Sequence, residues 1–333
     1  MPELRLNLVT REWVIIATER AKRPMDFKNS VDKRIIPEFL KTCPFCPGNE
    51  SKTPTERSRL PLEGPWRVRA VDNKYPALGK GEKKLSADGF RRSISGVGIH
   101  EVIVESPIHN QTTALMDLAD IEDIFLTYRE RFIAAHNDPR VEHTILFKNH
   151  GEDAGVTIEH THSQLVAVPV VPIQIRDRVQ AALHFFDDTG ECMLCAMIKR
   201  EREEKVRVVI ETDRFLTFVP YAALSPFHTW IFPKRHSAAF STITDEEVKE
   251  IAFHLKALLS KFYFGLEDPA YNYVIRSGRP QDADNEYCHW YLSIVPRLTK
   301  AAGFELGSGM FINTVVPEKS AEFLRSVRVE SAR

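Results

Sequence analysis

Three short stretches hold most of the side chains able to do chemistry. Cys43-Pro-Phe-Cys46 and Cys192-Met-Leu-Cys195 are CxxC pairs, and a fifth cysteine, Cys288, stands alone beside His289. In a reducing compartment such pairs serve metal or redox chemistry more often than structural disulfides. A thioredoxin-like pair would open a helix inside a βαβ pattern, whereas Cys46-Pro47-Gly48-Asn49 reads as a turn. The third stretch runs from Asn149-His-Gly151 through Gly155 and Thr157 to His160-Thr-His162-Ser-Gln164. Residues 160, 162 and 164 of an extended segment project to one face. The glycines before them let backbone N–H groups come close to a phosphate. A neutral imidazole at His162 can attack phosphorus and, once protonated, leave again, so it can carry a nucleotidyl group between two phosphate acceptors. Gln164 can donate a hydrogen bond to the α-phosphate without titrating.

Elements able to position these residues occur twice. After the first CxxC come a strand, His100 to Glu105, then His109 and a helix with Ile121, Ile124, Phe125, Tyr128 and Phe132 at helical spacing behind an acidic start. A strand, Thr144 to Asn149, the glycine loop and a strand from Leu165 to Val171 complete the series. After the second CxxC come the strand Thr229 to Phe232, then His236, and a helix opened by the capping-box signature Thr244-Asp-Glu-Glu247. Val248, Ile251, Leu255, Leu258 and Phe262 share one of its faces, and the strands Tyr271 to Ser277 and Leu292 to Val295 follow. His109 to His160 spans 51 residues and His236 to His289 spans 53. Each half therefore offers two thiolates in a knuckle and two distant histidines. Cys43, Cys46, His109 and His160 form one Cys2His2 set; Cys192, Cys195, His236 and His289 form the other. Four closed protein ligands suit structural zinc, with no open position for a reacting water, so two zinc ions per chain are expected.

The repeat predicts an α+β fold of tandem duplicated histidine-triad-like units, halves 1–178 and 179–333, each an antiparallel sheet with flanking helices. The two sheets are expected to join into one, with the crossing near Arg176 to Thr189. Gly79 to Arg92 reads as a mobile charged loop, and Pro317 to Val329 as a closing helix with Pro at its first turn. With 45 basic and 46 acidic side chains among 333 residues, the net charge of −1 argues against a nucleic-acid or polybasic membrane surface. The longest apolar stretch, Leu165 to Ile175, is broken by Pro169 and Pro172 and is too short to span a bilayer. The first residues lack the basic-then-apolar order of an export signal, and a cytoplasmic setting is expected. Glu159 either orients the loop or faces solvent. His100, His136, His143, His150, His184, His228 and His254 show no spacing logic.

On the tandem repeat, the CxxC start and the His-x-His-x-Gln strand, the chain resembles the galactose-1-phosphate uridylyltransferase family of the histidine triad superfamily. The likeness extends from Glu3-Leu-Arg through Arg11-Glu-Trp-Val-Ile and Arg20-Ala-Lys-Arg23-Pro to Gly303-Phe-Glu-Leu-Gly307. It implies a ping-pong transfer through a nucleotidyl intermediate on His162. Asn149, Thr157 and Gln164 would hold the α-phosphate, Arg20 and Arg23 the diphosphate, and Asn73 with Tyr75 would border the nucleoside. It also implies a homodimer, with a nucleotide sugar and a sugar 1-phosphate or inorganic phosphate as substrates. Two departures stand out. Tyr291 replaces the nucleophile in the second half, which leaves one active site per chain. Gly307-Ser308-Gly309 stands where galactose enzymes of the family carry Gly-Tyr-Glu, and losing that acid weakens the case for galactose 1-phosphate. Here, and in Pro169-Val-Val-Pro172 and the second CxxC, the chain resembles the plant branch that acts as an ADP-glucose phosphorylase. Three readings follow: a hexose-1-phosphate uridylyltransferase, an ADP-glucose phosphorylase using inorganic phosphate, and a non-catalytic zinc-stabilised nucleotide-binding protein.

Overall fold

The computed structural model describes residues 1–17 and 36–329, so Arg20 and Arg23 lie outside the described residues. The first half comprises β1 (Glu3–Leu6), β2 (Trp13–Ile16), β3 (Glu56–Leu60), β4 (Val68–Asp72), β5 (Leu85–Asp88), β6 (Arg91–Ile94), β7 (Ile99–Val104), α1 (Leu118–His136), β8 (His143–His150) and β9 (His162–Val168). Two helices follow, α2 (Ile173–Thr189) and α3 (Met193–Glu204). The second half continues with β10 (Val208–Glu211), β11 (Phe215–Phe218), β12 (Thr229–Pro233), α4 (Asp245–Leu266), β13 (Tyr271–Arg276), β14 (Tyr291–Pro296), α5 (Gly303–Ser308), β15 (Phe311–Asn313) and α6 (Pro317–Ser326).

Ten strands form one antiparallel sheet in the order β10-β11-β12-β14-β13-β8-β9-β7-β4-β3. The seam between halves is β8 against β13, with His150 opposite Tyr271 and Leu146 opposite Ile275. Period-2 alternation decides which side chains enter the core. In β13, Tyr271, Tyr273 and Ile275 are buried while Asn272, Val274 and Arg276 turn to the other face. Against the core face pack α1 and α4, whose apolar stripes are buried as their periodicity predicts. The capping box at α4 is formed: Thr244 Oγ1 accepts from the Glu247 N–H at 3.2 Å and Glu247 Oε2 from the Thr244 N–H at 3.0 Å. The opposite face carries two smaller apolar clusters, one around Cys43, Phe45, Cys46, Val102 and Val104, the other around Cys192, Met193, Phe232 and Tyr291. Each half therefore builds its chemistry on the side of the sheet away from the shared core.

One segment differs from expectation, and another carries an element that the sequence pattern did not assign. Within Gly79 to Arg92 lies most of a hairpin, β5 against β6, with Leu85 opposite Ile94; its charges decorate strands whose residues are mostly exposed, so no apolar alternation marks them. The crossing, expected near Arg176 to Thr189, is made by the helix α2, entered at Pro172 and ended by Gly190 at φ 73°. Only Ala181 and Ala182 of this helix are buried, which leaves little amphipathic signal to read. The closing helix is α6, with Pro317 in its first turn. Among the described residues no helix is long and apolar enough to cross a membrane.

Candidate active site and metal centres

The first CxxC is a knuckle: the Cys46 N–H donates to the Cys43 carbonyl at 3.4 Å, and the amides of Phe45 and Leu40 point at the sulfurs of Cys43 and Cys46, each at 3.4 Å. His109 Nδ1 lies 3.6 Å from Cys46 Sγ, and His160 Nδ1 lies 3.6 Å from Cys46 Sγ and 3.7 Å from Cys43 Sγ. The His160 Nε2–H donates to the Ser106 carbonyl at 2.6 Å, so the Nδ1 lone pair faces the sulfurs. Burial favours neutral rings, lowering the pKa of His109 and pushing that of His160 down to about 4. In the second half Cys195 Sγ is 3.2 Å from His236 Nδ1 and 3.4 Å from His289 Nδ1. Here the pair is not a knuckle; Cys192 is the N-cap of α3 and Cys195 sits in its first turn. In both halves the four ligand atoms lie within 4.8 Å of one another, so each Cys2His2 group can hold a metal ion. Cys288 lies near them as a half-buried thiol whose pKa burial pushes up to about 12.

Immediately after His160, β9 begins at His162. The His162 Nδ1–H donates to the His160 carbonyl at 2.8 Å, which places the free lone pair on Nε2. Burial lowers its pKa, favouring the neutral ring that can attack. Phe45 of the knuckle packs on both rings, 5.3 Å from His162 and 6.1 Å from His160, so the first metal group buttresses the histidine strand. Beneath it, Lys148 is fully enclosed with Glu105 in an ion pair, donates to Thr161 Oγ1 at 2.6 Å, and Tyr128 donates to Glu105 at 2.6 Å. This network ties β7, β8 and the start of β9 to α1.

The amides around His162 are held by residues that the sequence reading passed over. The Ala77 N–H donates to His100 Nδ1 at 3.0 Å, so the His100 proton is on Nε2 and is given to Gln164 Oε1 at 2.8 Å. That leaves the Gln164 NH2 free to point at an anion. Asn73 joins the same cluster: its Nδ2 is 3.0 Å from His100 Nε2 and its Oδ1 accepts from the Tyr75 N–H at 2.8 Å. Tyr75 itself is exposed and not part of the core. Asn149 comes next in register to the Lys148–Ser163 pair, opposite His162. Its Oδ1 accepts from Asn272 Nδ2 at 2.8 Å, again leaving amide hydrogens free. Gly151 and Gly155 adopt φ of 81° and 89°, and a Cβ on Gly151 would lie 2.7 Å from the Ala270 Cβ. Thr157 and Glu159 are exposed on the same loop.

Comparison with known proteins gives the family. The family model for the N-terminal domain of galactose-1-phosphate uridyl transferase matches residues 1–172, and that for its C-terminal domain matches residues 178–328. The chain belongs to the galactose-1-phosphate uridylyltransferase family. Among relatives, an ADP-glucose phosphorylase of Arabidopsis thaliana is 38% identical over 98% of this chain and 93% of its own length. A galactose-1-phosphate uridylyltransferase of Thermotoga maritima is 29% identical over 99% of this chain and 100% of its own length. A crystal structure of the Arabidopsis ADP-glucose phosphorylase with bound ADP-glucose superimposes with a TM-score of 0.84 at 35% identity, covering 99% of this chain and 100% of that one.

Within this family member the second half repeats the scaffold with different chemistry. Strand register sets Ser293 opposite Trp230 as Gln164 is opposite Val102, and Tyr291, stacked on Phe232 with ring centroids 4.7 Å apart, takes the place that His162 holds opposite Val104. By the same count His228 corresponds to His100, and it contacts Ser293 Oγ at 2.9 Å as His100 contacts Gln164. These two histidines, set aside as having no spacing logic, are a third pair in the repeat. Their signal was present: His100 lies nine residues before His109, and His228 eight before His236.

Proposed function

We propose that His162 carries the nucleotidyl group, in a ping-pong transfer between a nucleotide-diphosphate sugar and a second phosphate compound. As a member of this family the protein is an enzyme, a nucleotidyltransferase. The carrying observation is the His162 ring: its Nδ1–H is committed to a backbone carbonyl, its burial favours neutrality, and its Nε2 is free. In the first step Nε2 attacks the α-phosphorus, the N–P bond forms, and the P–O bond to the departing sugar 1-phosphate breaks. As positive charge grows on the ring, the His160 carbonyl accepts a stronger hydrogen bond. In the second step a phosphate oxygen of the acceptor attacks phosphorus and returns His162 to its neutral form. Gln164 and Asn149, with amide oxygens already occupied by His100 and Asn272, aim their NH2 groups at the α-phosphate oxygens. Thr157 and the backbone at Gly151 and Gly155 complete the cradle; Arg20 and Arg23 neutralise the diphosphate, and Asn73 and Tyr75 border the nucleoside.

For base and acceptor the uridylyltransferase form uses UDP-glucose and hexose 1-phosphate; the phosphorylase form uses ADP-glucose and inorganic phosphate. Two observations favour the second: Gly309 where a hexose-binding acid would stand, and 38% identity to an ADP-glucose phosphorylase. Intact-mass measurement after incubation with UDP-glucose or ADP-glucose separates them, since the adduct weighs as UMP or as AMP. Failure of both to give a His162-dependent adduct would overturn nucleotidyl transfer altogether.

Each Cys2His2 group is read as a structural zinc site. A tetrahedron with Zn–S of about 2.3 Å and Zn–N of about 2.0–2.1 Å has edges of about 3.6 Å between sulfur and nitrogen and about 3.3 Å between nitrogens. In the first group the sulfur–nitrogen separations are 3.6 and 3.7 Å and the nitrogens are 3.3 Å apart. Four protein ligands leave no place for substrate, so Cys43, Cys46, His109 and His160 around a zinc ion would tie the first knuckle to the histidine strand, and Cys192, Cys195, His236 and His289 would tie the start of α3 to β14. A homodimer and a cytoplasmic setting, in keeping with five free cysteines, belong to the same reading.

A further inference from the structure

The half without a nucleophile has a cavity where its counterpart of the active site stands. It measures about 530 Å³ and lies between the sheet face at β13 and β14 and the helix α2 that crosses over it. Arg276 lies directly opposite Tyr291 in the ladder, the position that corresponds to Asn149, one residue beyond the Lys148–Ser163 pair in the first half. A phosphate-binding amide in one half is thus a guanidinium in the other.

A second arginine, Arg178 of α2, lines the same cavity, with its Nε and Nη1 buried and without a hydrogen-bond partner. Among the described residues neither Arg178 nor Arg276 pairs with a carboxylate. Burial first, and the nearby Arg178 second, push the Arg276 guanidinium down to about 10, the mark of a cation lacking compensation. The acids on the cavity wall are already engaged: Asp282 binds Arg279 at 2.7 Å, and Glu142 binds Lys83 at 2.6 Å and Arg279 at 3.8 Å. Burial also lowers the neighbouring His143 to about 4 and His228 to about 3, so neither adds charge near neutral pH. Two half-enclosed guanidiniums facing one space are costly unless an anion joins them. Guanidinium forks suit phosphate oxygens in particular. Among the other wall residues, Val171, Ile175, Val179 and Met193 offer an apolar patch, and Arg176, Gln180 and Asn285 offer polar groups, to the rest of a ligand.

We infer that this cavity is a second, non-catalytic ligand site, in which Arg178 and Arg276 grip the phosphate group of a small phosphorylated metabolite. Tyr291 replaces the imidazole whose nitrogen would attack, so capture is reversible. The site stands or fails independently of nucleotidyl transfer at His162.

Equilibrium dialysis of the full chain, counting equivalents bound, tests it with three probes: inorganic phosphate, AMP and glucose 1-phosphate. At least one probe should occupy a site that survives His162→Ala and weakens at least about tenfold in Arg178→Gln and in Arg276→Met, the effect of losing one charge-assisted contact. The probe that binds tightest identifies the source of the phosphate. Arg178 lies on a half-exposed helix, so Arg178→Gln keeps the test meaningful if Arg276→Met fails to fold. Retained turnover in Arg178→Gln places the loss away from the active site. Binding of no probe to the His162→Ala protein, or unchanged affinity in Arg178→Gln, overturns the inference.

Discussion

The two halves share a strand order, a Cys2His2 group on the same sheet face and a histidine packed beside the third position of the reactive strand, yet they are built for different work. In the first half that strand reads His162-Ser-Gln164 over a buried Lys148–Glu105 pair; in the second it reads Tyr291-Leu-Ser293 beside Arg276. The first pattern presents a nitrogen lone pair among neutral amide donors, which suits attack on phosphorus and release afterwards. The second presents guanidinium charge and a phenol, which suits holding an anion. The scaffold therefore places corresponding strand positions in both halves, and on the readings proposed above the side chains at those positions set attack apart from capture.

Replacing the nucleophile should separate the halves most sharply. His162→Ala is expected to lower kcat by at least about 10⁴-fold and to abolish the covalent adduct while the fold persists; near-normal turnover would remove the mechanism. Metal analysis comes next: the wild type should hold two zinc ions per chain, with Cys43→Ser losing one and Cys192→Ser the other. Because Phe45 couples the first knuckle to His162, Cys43→Ser should also lower Tm and turnover together, and unchanged metal content would refute that site. For the third histidine pair the halves should diverge in kind. His100→Ala should cost about tenfold to a hundredfold in kcat by freeing the Gln164 amide, less than outright loss of a donor. His228→Ala should lower Tm and leave kcat in place. Gly151→Ala forces a side chain into positive φ against Ala270 and should cost about 1–3 kcal/mol of stability by thermal unfolding. The smallest effect is expected for Tyr291→His, because Arg276 and Ser293 remain where Asn149 and Gln164 would be needed; a second adduct per chain would show that the nucleophile alone distinguishes the halves.

Much of this was readable from residue types. The apolar stripes of α1 and α4, the capping box at Thr244 and both ligand sets follow from spacing, because helical and strand periods and metal coordination each require particular residues at particular intervals. His100 and Asn272 were not read, since they act by orienting another side chain and their partners lie 64 and 123 residues away in the chain. The hairpin in Gly79 to Arg92 and the helix α2 were missed for a different reason: both are mostly exposed, so burial writes little pattern into them.

Composition and spacing alone determined that this is a duplicated α+β chain with two Cys2His2 groups and one histidine suited to attack phosphorus, because repeats, ligand sets and reactive types are local in the sequence. Only the folded chain decided which ring nitrogen of His162 is free, which way the Gln164 and Asn149 amides face, and that Arg178 and Arg276 share a cavity with no carboxylate partner among the described residues. Those properties depend on hydrogen bonds and burial between distant segments, and a linear string of residues does not encode them until the sheet brings its strands into register.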